Sequence, residues 1–134
     1  MPAAPELAST ILVVEDEALI RVALAAFLQD VGFKVLEAAN ANEAVEIIEK
    51  ASVPIDLVFT DVRMPGTLDG IELAHWIRTS RPQIAVIVVS GNVGKAHAAD
   101  TMPPADHFLG KPYDLNVAAV KIRHAIANRK ATAM

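Results

Sequence analysis

Short, continuously apolar runs alternate along this chain with longer segments whose apolar residues recur at helical spacing. Ile11 to Val14 is apolar throughout, as a strand covered on both faces requires. Ile20, Leu24, Phe27, Leu28 and Val31 then follow the helical period, and Gly32 supplies a C-terminal cap. Phe33 to Ala38 reads as a second strand, and a helix through Glu49 follows, capped by Asn40 or Asn42. Ile55 to Thr60 is the third strand, with Asp61 at its carboxyl end. Gly70 to Ser80 reads as a helix closed by Pro82, Ile84 to Val89 as the fourth and most hydrophobic strand, and Phe108 with Leu109 as a short fifth. Asp114 can cap a last helix that buries Leu115, Ile122 and Ile126. Five strands alternating with helices predict an α/β domain: a doubly wound, five-stranded parallel sheet with helices on both faces. The expected divisions are a flexible N-terminal tail over 1–9, one folded domain over 10–128 and a C-terminal tail over 129–134.

Composition narrows the classes. At 134 residues, 53% hydrophobic and 21% charged, the chain has the makings of a single ordered core. A net charge of −4 argues against direct nucleic-acid binding. The lack of cysteine excludes disulfides, thiolate zinc sites and a cysteine nucleophile, and is compatible with a cytoplasmic location. The opening residues lack the basic start and apolar run of a signal peptide, and no apolar run approaches the roughly 20 residues of a membrane span.

In open parallel sheets, ligands collect beyond the carboxyl ends of the strands. Glu15, Asp16 and Glu17 follow the first strand, Asp61 the third, Ser90 the fourth, and Lys111 with Pro112 the fifth. Carboxylates converging in a small space repel one another and call for a cation. Hard oxygen ligands in small number suit Mg2+. A lysine supplies a point charge for phosphate, and a serine hydroxyl can bond a phosphoryl oxygen. Together these groups equip a site for in-line phosphoryl transfer to a carboxylate. Each group alone has a plainer reading. Acidic residues after a strand are usually solvated, Asp61 can cap a turn, Ser90-Gly91 can be a turn pair, and Lys111 a surface lysine.

The segments ILVVEDE (Ile11 to Glu17), DLVFTDVRMP (Asp56 to Pro65), VIVVSG (Val86 to Gly91) and FLGKPY (Phe108 to Tyr113) resemble the receiver domain of two-component response regulators. The resemblance runs from about Thr10 to Asn128. It implies a flavodoxin-like fold of receiver type, with Glu15 and Asp16 as the acidic metal-binding pair and Asp61 as phosphoacceptor. It implies Ser90 as the hydroxyl that moves toward the phosphoryl group and Lys111 as the phosphate-contacting lysine, followed by a cis bond to Pro112. Arg63 falls where the family binds metal through a backbone carbonyl. Phe108 falls at the family's aromatic switch, although a core role is the plainer reading. The implied cofactor is Mg2+. The implied donor is a histidine kinase or a histidine phosphotransfer protein, and the catalysis is confined to the domain's own phosphorylation and dephosphorylation.

Two stretches depart from the family pattern. The loop from Arg63 to Gly70 is about one residue longer than usual. Asn92 to Asp106, where the family places its fourth helix, holds Gly94, Pro103 and Pro104. Proline within a helix costs about 3 kcal/mol, so a short or irregular helix is expected there. With about six residues after the last helix, output is expected through protein contact with an unknown target, by a stand-alone module. The roles of regulator, relay carrier and phosphate sink all stay open. A flavodoxin-like cofactor binder shares the topology, but Glu15-Asp16-Glu17 would repel a flavin phosphate. A phosphoaspartyl hydrolase needs a second catalytic acid, and Arg63 stands two residues beyond Asp61.

Overall fold

The computed structural model describes residues 8–63, 68–91 and 104–133. Its strands are β1 (Thr10–Val14), β2 (Lys34–Ala38), β3 (Leu57–Asp61), β4 (Ala85–Ser90) and β5 (His107–Gly110). The helices among the described residues, labelled in chain order, are α1 (Ala18–Asp30), α2 (Ala41–Lys50), α3 (Gly70–Ser80) and α4 (Leu115–Ala133). All strands pair in parallel in the order β2-β1-β3-β4-β5. The strand order reverses between β1 and β3, so the crevice for ligands opens beyond the carboxyl ends of those two strands.

The apolar runs become central strands because both faces of the sheet are covered. Ile11, Val13, Leu57, Phe59, Ile87 and Val89 face one core, closed by Leu24 and Leu28 of α1 and Ala118, Ile122 and Ala125 of α4. Leu12, Val14, Val58, Val86 and Val88 face the other, closed by Ala41, Ala44 and Ile48 of α2 and Leu73, Ala74 and Ile77 of α3. Truncating one of these large side chains to alanine typically costs about 2–5 kcal/mol.

The ends of the helices follow local chemistry. Gly32 adopts φ +108°, and the amides of Gly32 and Phe33 donate to the carbonyls of Gln29 and Leu28, closing α1 in a Schellman turn. Asn40 rather than Asn42 caps α2, its side chain accepting from the Glu43 amide at 2.8 Å. Asp69 and Glu72 form a full capping box on α3. Asp114 accepts from the amides of Asn116 and Val117 at the start of α4.

Three expectations need correction. Ile20 is 40% exposed, because the first turn of α1 stands clear of the sheet; Ala25 takes its place in the buried stripe. Leu115 is likewise exposed at the start of α4, and Ala118, Ala119 and Ala125 join Ile122 and Ile126 in the core. The expected tail over 129–134 is helical to Ala133. Arg129 anchors that end, donating from Nε to Asp106 Oδ1 at 2.9 Å and from Nη1 to the Pro82 carbonyl. The N-terminal tail through residue 7, the loop over 64–67 and the expected irregular helix through Pro103 lie outside the described residues. Pro104 to Asp106 lead into β5 without helical structure.

Candidate functional site

The register of the sheet assembles the site. Val14 pairs with Thr60 across β1 and β3, so the residues that follow β1 meet Asp61 at the end of β3. Ser90 pairs with Gly110 across β4 and β5, and the Lys111 amide donates to the Ser90 carbonyl at 2.9 Å. Glu15, Asp16, Asp61, Ser90 and Lys111 thus come from four strand ends to one rim of the sheet.

Glu15, Asp16 and Asp61 each offer a carboxylate oxygen, and these atoms lie within 4.8 Å of one another. Glu15 is buried at 6% exposure, Asp61 is half-buried and Asp16 is exposed. The Glu15 side chain accepts from the Glu17 amide at 3.0 Å. Lys111 Nζ donates to Asp61 Oδ2 at 2.6 Å, a short charge-assisted bond. Three carboxylates against one ammonium leave an excess of negative charge.

Protonation equilibria record this crowding. Burial pushes the Glu15 carboxyl above its ordinary value; the Glu17 amide and Lys111 oppose that rise, while Asp61 adds to it. For Lys111, burial works against the charged form, but the hydrogen bond and charge of Asp61, with Glu15, outweigh it and the pKa rises. The lysine is therefore held as an ammonium. Tyr113, packed edge-on against Phe59 at 5.8 Å, is raised by burial and by the charges of Glu15 and Asp61, against the pull of Lys111.

The donor set fits a hard divalent cation: clustered carboxylate oxygens, no nitrogen or sulfur ligand among them, and one partly exposed face. Glu15, Asp16 and Asp61 are the groups that would hold it. No other group of three or more such side chains occurs among the described residues.

The remaining expected residues sit as follows. The Lys111-Pro112 bond is cis. Arg63 is exposed, two residues past the end of β3. Phe108 is partly buried, paired with Val88 across the strands and packed at the edge of the core under α2 and α3. Sequence reading missed Gly70. A Cβ there would lie 2.0 Å from the Asp61 carbonyl oxygen, so the start of α3 presses directly on the backbone of the candidate acceptor. The Gly70 amide donates to the Val62 carbonyl at 2.9 Å, fixing that approach. A glycine at the first position of a helix was the available signal, but it is equally explained by local geometry.

Known proteins share this fold. Residues 11–123 match the family described as "Response regulator receiver domain". Among curated proteins, the chain is 37% identical over 125 residues to a cyclic di-GMP phosphodiesterase of Thermotoga maritima, covering 90% of this chain and 32% of that protein. It is 38% identical over 121 residues to the sensor kinase CckA of Brucella abortus, covering 88% of this chain and 12% of that one. The chain thus spans a third or less of the length of these two relatives. Among solved structures, a response regulator receiver domain protein from Clostridium thermocellum superposes with a TM-score of 0.81 at 32% identity, covering 94% of this chain and 99% of that one. The response regulator TrrA of Thermotoga maritima, in complex with Mg2+ and BeF, gives 0.76 at 29% identity, covering 87% and 98%. With that family match over most of the chain and the same fold at 32% identity, this chain belongs to the response regulator receiver domains of two-component signalling.

Proposed function

We propose that Asp61 is the phosphoacceptor of this domain and that Glu15, Asp16 and Asp61 hold Mg2+ during the transfer. The observation that carries the reading is the pairing of Lys111 with Asp61 at 2.6 Å inside a cluster of three carboxylates at the sheet's switch point. A carboxylate so placed is a nucleophile with its counter-charge already in position. In the transfer, a bond forms between an Asp61 carboxylate oxygen and phosphorus as the bond from phosphorus to the donor breaks. Lys111 exchanges its contact with Asp61 for one with a phosphoryl oxygen, and Ser90, one strand away, donates its hydroxyl to another. Mg2+, when bound, neutralises charge on the carboxylates and on the phosphoryl oxygens. Arg63 would offer its backbone carbonyl to the metal, and Phe108, on the edge strand β5, reports the change to the surface.

The donor is a phosphohistidine on a sensor kinase or phosphotransfer protein, and output passes by contact with a protein target in the cytoplasm. Exposed Leu19 and Val22 on α1 give a protein donor an apolar footing beside the acidic loop. Among the described residues, no helix is long and apolar enough to cross a membrane. A flavin phosphate is disfavoured where Glu15 and Asp16 stand, and a hydrolase lacks its second acid at Arg63.

Incubation with Mg2+ and an acyl phosphate tests the reading by intact mass. A gain of one phosphoryl group is expected, abolished by chelation and by Asp61→Asn. Undiminished labelling of Asp61→Asn would overturn the assignment.

A further inference from the structure

The acidic loop after β1 is held from behind by a residue outside the site. Arg21, on the first turn of α1, donates from Nη1 to the Glu15 carbonyl oxygen at 2.7 Å and from Nε to Glu37 Oε1 at 3.2 Å. Its side chain is only 18% exposed, so this fork is partly withdrawn from water. Glu37 lies on β2 next to Ala38, whose carbonyl accepts the Glu15 amide at 3.1 Å. Glu15 is therefore gripped on both sides of its backbone, its N–H by β2 and its C=O by Arg21.

That carbonyl belongs to the peptide unit that also contains the Asp16 amide. The unit is planar, with a barrier to rotation of about 18–20 kcal/mol, so fixing its oxygen fixes the direction in which the chain leaves toward Asp16. Asp16 is exposed and takes its aim from its backbone. A guanidinium is suited to this clasp because its donors are rigidly spaced and can meet a carbonyl and a carboxylate together, which an ammonium does less well.

We propose that Arg21 is a positioning residue for the divalent-cation site: by holding the Glu15 carbonyl against β2, it directs Glu15 and Asp16 toward Asp61 while touching neither metal nor phosphoryl group. The inference rests on the reading of the acidic cluster as the Mg2+ site. Removing the clasp leaves all three carboxylates present but no longer aimed, so affinity falls although no ligand is lost.

The test is Mg2+ binding by calorimetry, without a phosphodonor, on wild type, Arg21→Met, Arg21→Lys, Glu37→Gln and Asp16→Asn, with urea denaturation of each in chelator. Arg21→Met is expected to bind Mg2+ about tenfold more weakly, equivalent to about 1.4 kcal/mol. Arg21→Lys should fall between it and wild type. Glu37→Gln, which keeps the contact with the Glu15 carbonyl, should stay within about twofold of wild type, where one kcal/mol would already give fivefold. Wild-type affinity in Arg21→Met, or equal affinity losses in Glu37→Gln and Arg21→Met, would overturn the proposal and leave Arg21 as a brace between α1 and β2. Should Arg21→Met not fold, wild-type affinity in Arg21→Lys overturns it equally. Absence of Mg2+ binding in wild type, with Asp16→Asn indistinguishable from it, would instead refute the reading of the acidic cluster on which the proposal rests.

Discussion

Replacing Gly70 with alanine puts the contact between α3 and the candidate acceptor to a quantitative test. The added methyl would stand 2.0 Å from the Asp61 carbonyl oxygen and 2.9 Å from both the Asp61 carbonyl carbon and the Val62 Cα. Carbon and oxygen ordinarily approach to about 3.3 Å, so backbone must move by roughly 1 Å or more. Overpacking of that kind costs about 1–3 kcal/mol. Weakening the bond from the Gly70 amide to the Val62 carbonyl adds about 0.5–1.5 kcal/mol. Against these stands the gain from removing a helical glycine, at most about 1 kcal/mol. The balance is a destabilisation of about 0.5–3.5 kcal/mol. The displaced atoms belong to Asp61, so the rate of phosphorylation should suffer beyond the loss of stability, by about tenfold or more where 1 Å errors can cost a hundredfold. Urea denaturation and the initial rate of labelling by an acyl phosphate, measured where the variant is folded, give both quantities. Gly91→Ala is the control: its added methyl meets nothing within 4 Å among the described residues, and stability should stay within about 0.5 kcal/mol. Wild-type stability and labelling rate in Gly70→Ala would refute the reasoning.

Other outcomes follow from the same geometry. Asp16→Ala should weaken Mg2+ binding more than Glu15→Ala, since Asp16 reaches solvent while Glu15 is buried and already engaged by the Glu17 amide; equal losses in a titration would contradict this. Asp69→Ala removes one half of the α3 capping box and should cost about 1 kcal/mol in denaturation experiments, with the Mg2+ affinity retained. His107 has a buried Nε2 without a hydrogen-bond partner among the described residues, and burial, Lys121 and His124 hold its pKa below 6.5 against the pull of Asp106. The unfolded chain then binds the proton first as pH falls, so the fold loses stability below pH 6.5, down to the lowered folded pKa. His107→Gln should flatten that limb of the stability profile; an unchanged slope would show that other groups set it.

The strands were legible because a central parallel strand must be apolar on both faces, and Ile11 to Val14 and Ile84 to Val89 have no other easy explanation. The acidic pair, Asp61, Ser90 and Lys111 were legible because strand ends of such a sheet gather at one rim. Less could be read where a small or exposed residue decides the packing. Ala25 of α1 and Ala118, Ala119 and Ala125 of α4 share the buried stripes without a strong hydrophobic signal, and Ile20 and Leu115 have the right spacing but lie beyond the sheet's cover. Arg21 and Asp106 left no pattern at all, and Gly70 only that of a glycine opening a helix. Their roles come from backbone carbonyls and amides brought near by the tertiary fold: Glu15 for Arg21, Asp61 for Gly70, and the Val86 amide, 2.7 Å from Asp106 Oδ2, for Asp106. Asp106 also binds Arg78 of α3 and Arg129 of α4, joining both helices to the start of β5. A helix that continues to Ala133 follows from that anchor, not from periodicity.

The central claim is that the phosphoryl group bonds to the Asp61 carboxylate. Borohydride reduces an acyl phosphate to an alcohol, so treatment of the phosphorylated protein followed by peptide mass mapping locates the modified residue directly. The account predicts one new homoserine, at position 61, dependent on prior incubation with Mg2+ and phosphodonor. Reduction at position 15 or 16, or stable phosphate on a hydroxyl or imidazole elsewhere in the chain with position 61 untouched, would contradict it.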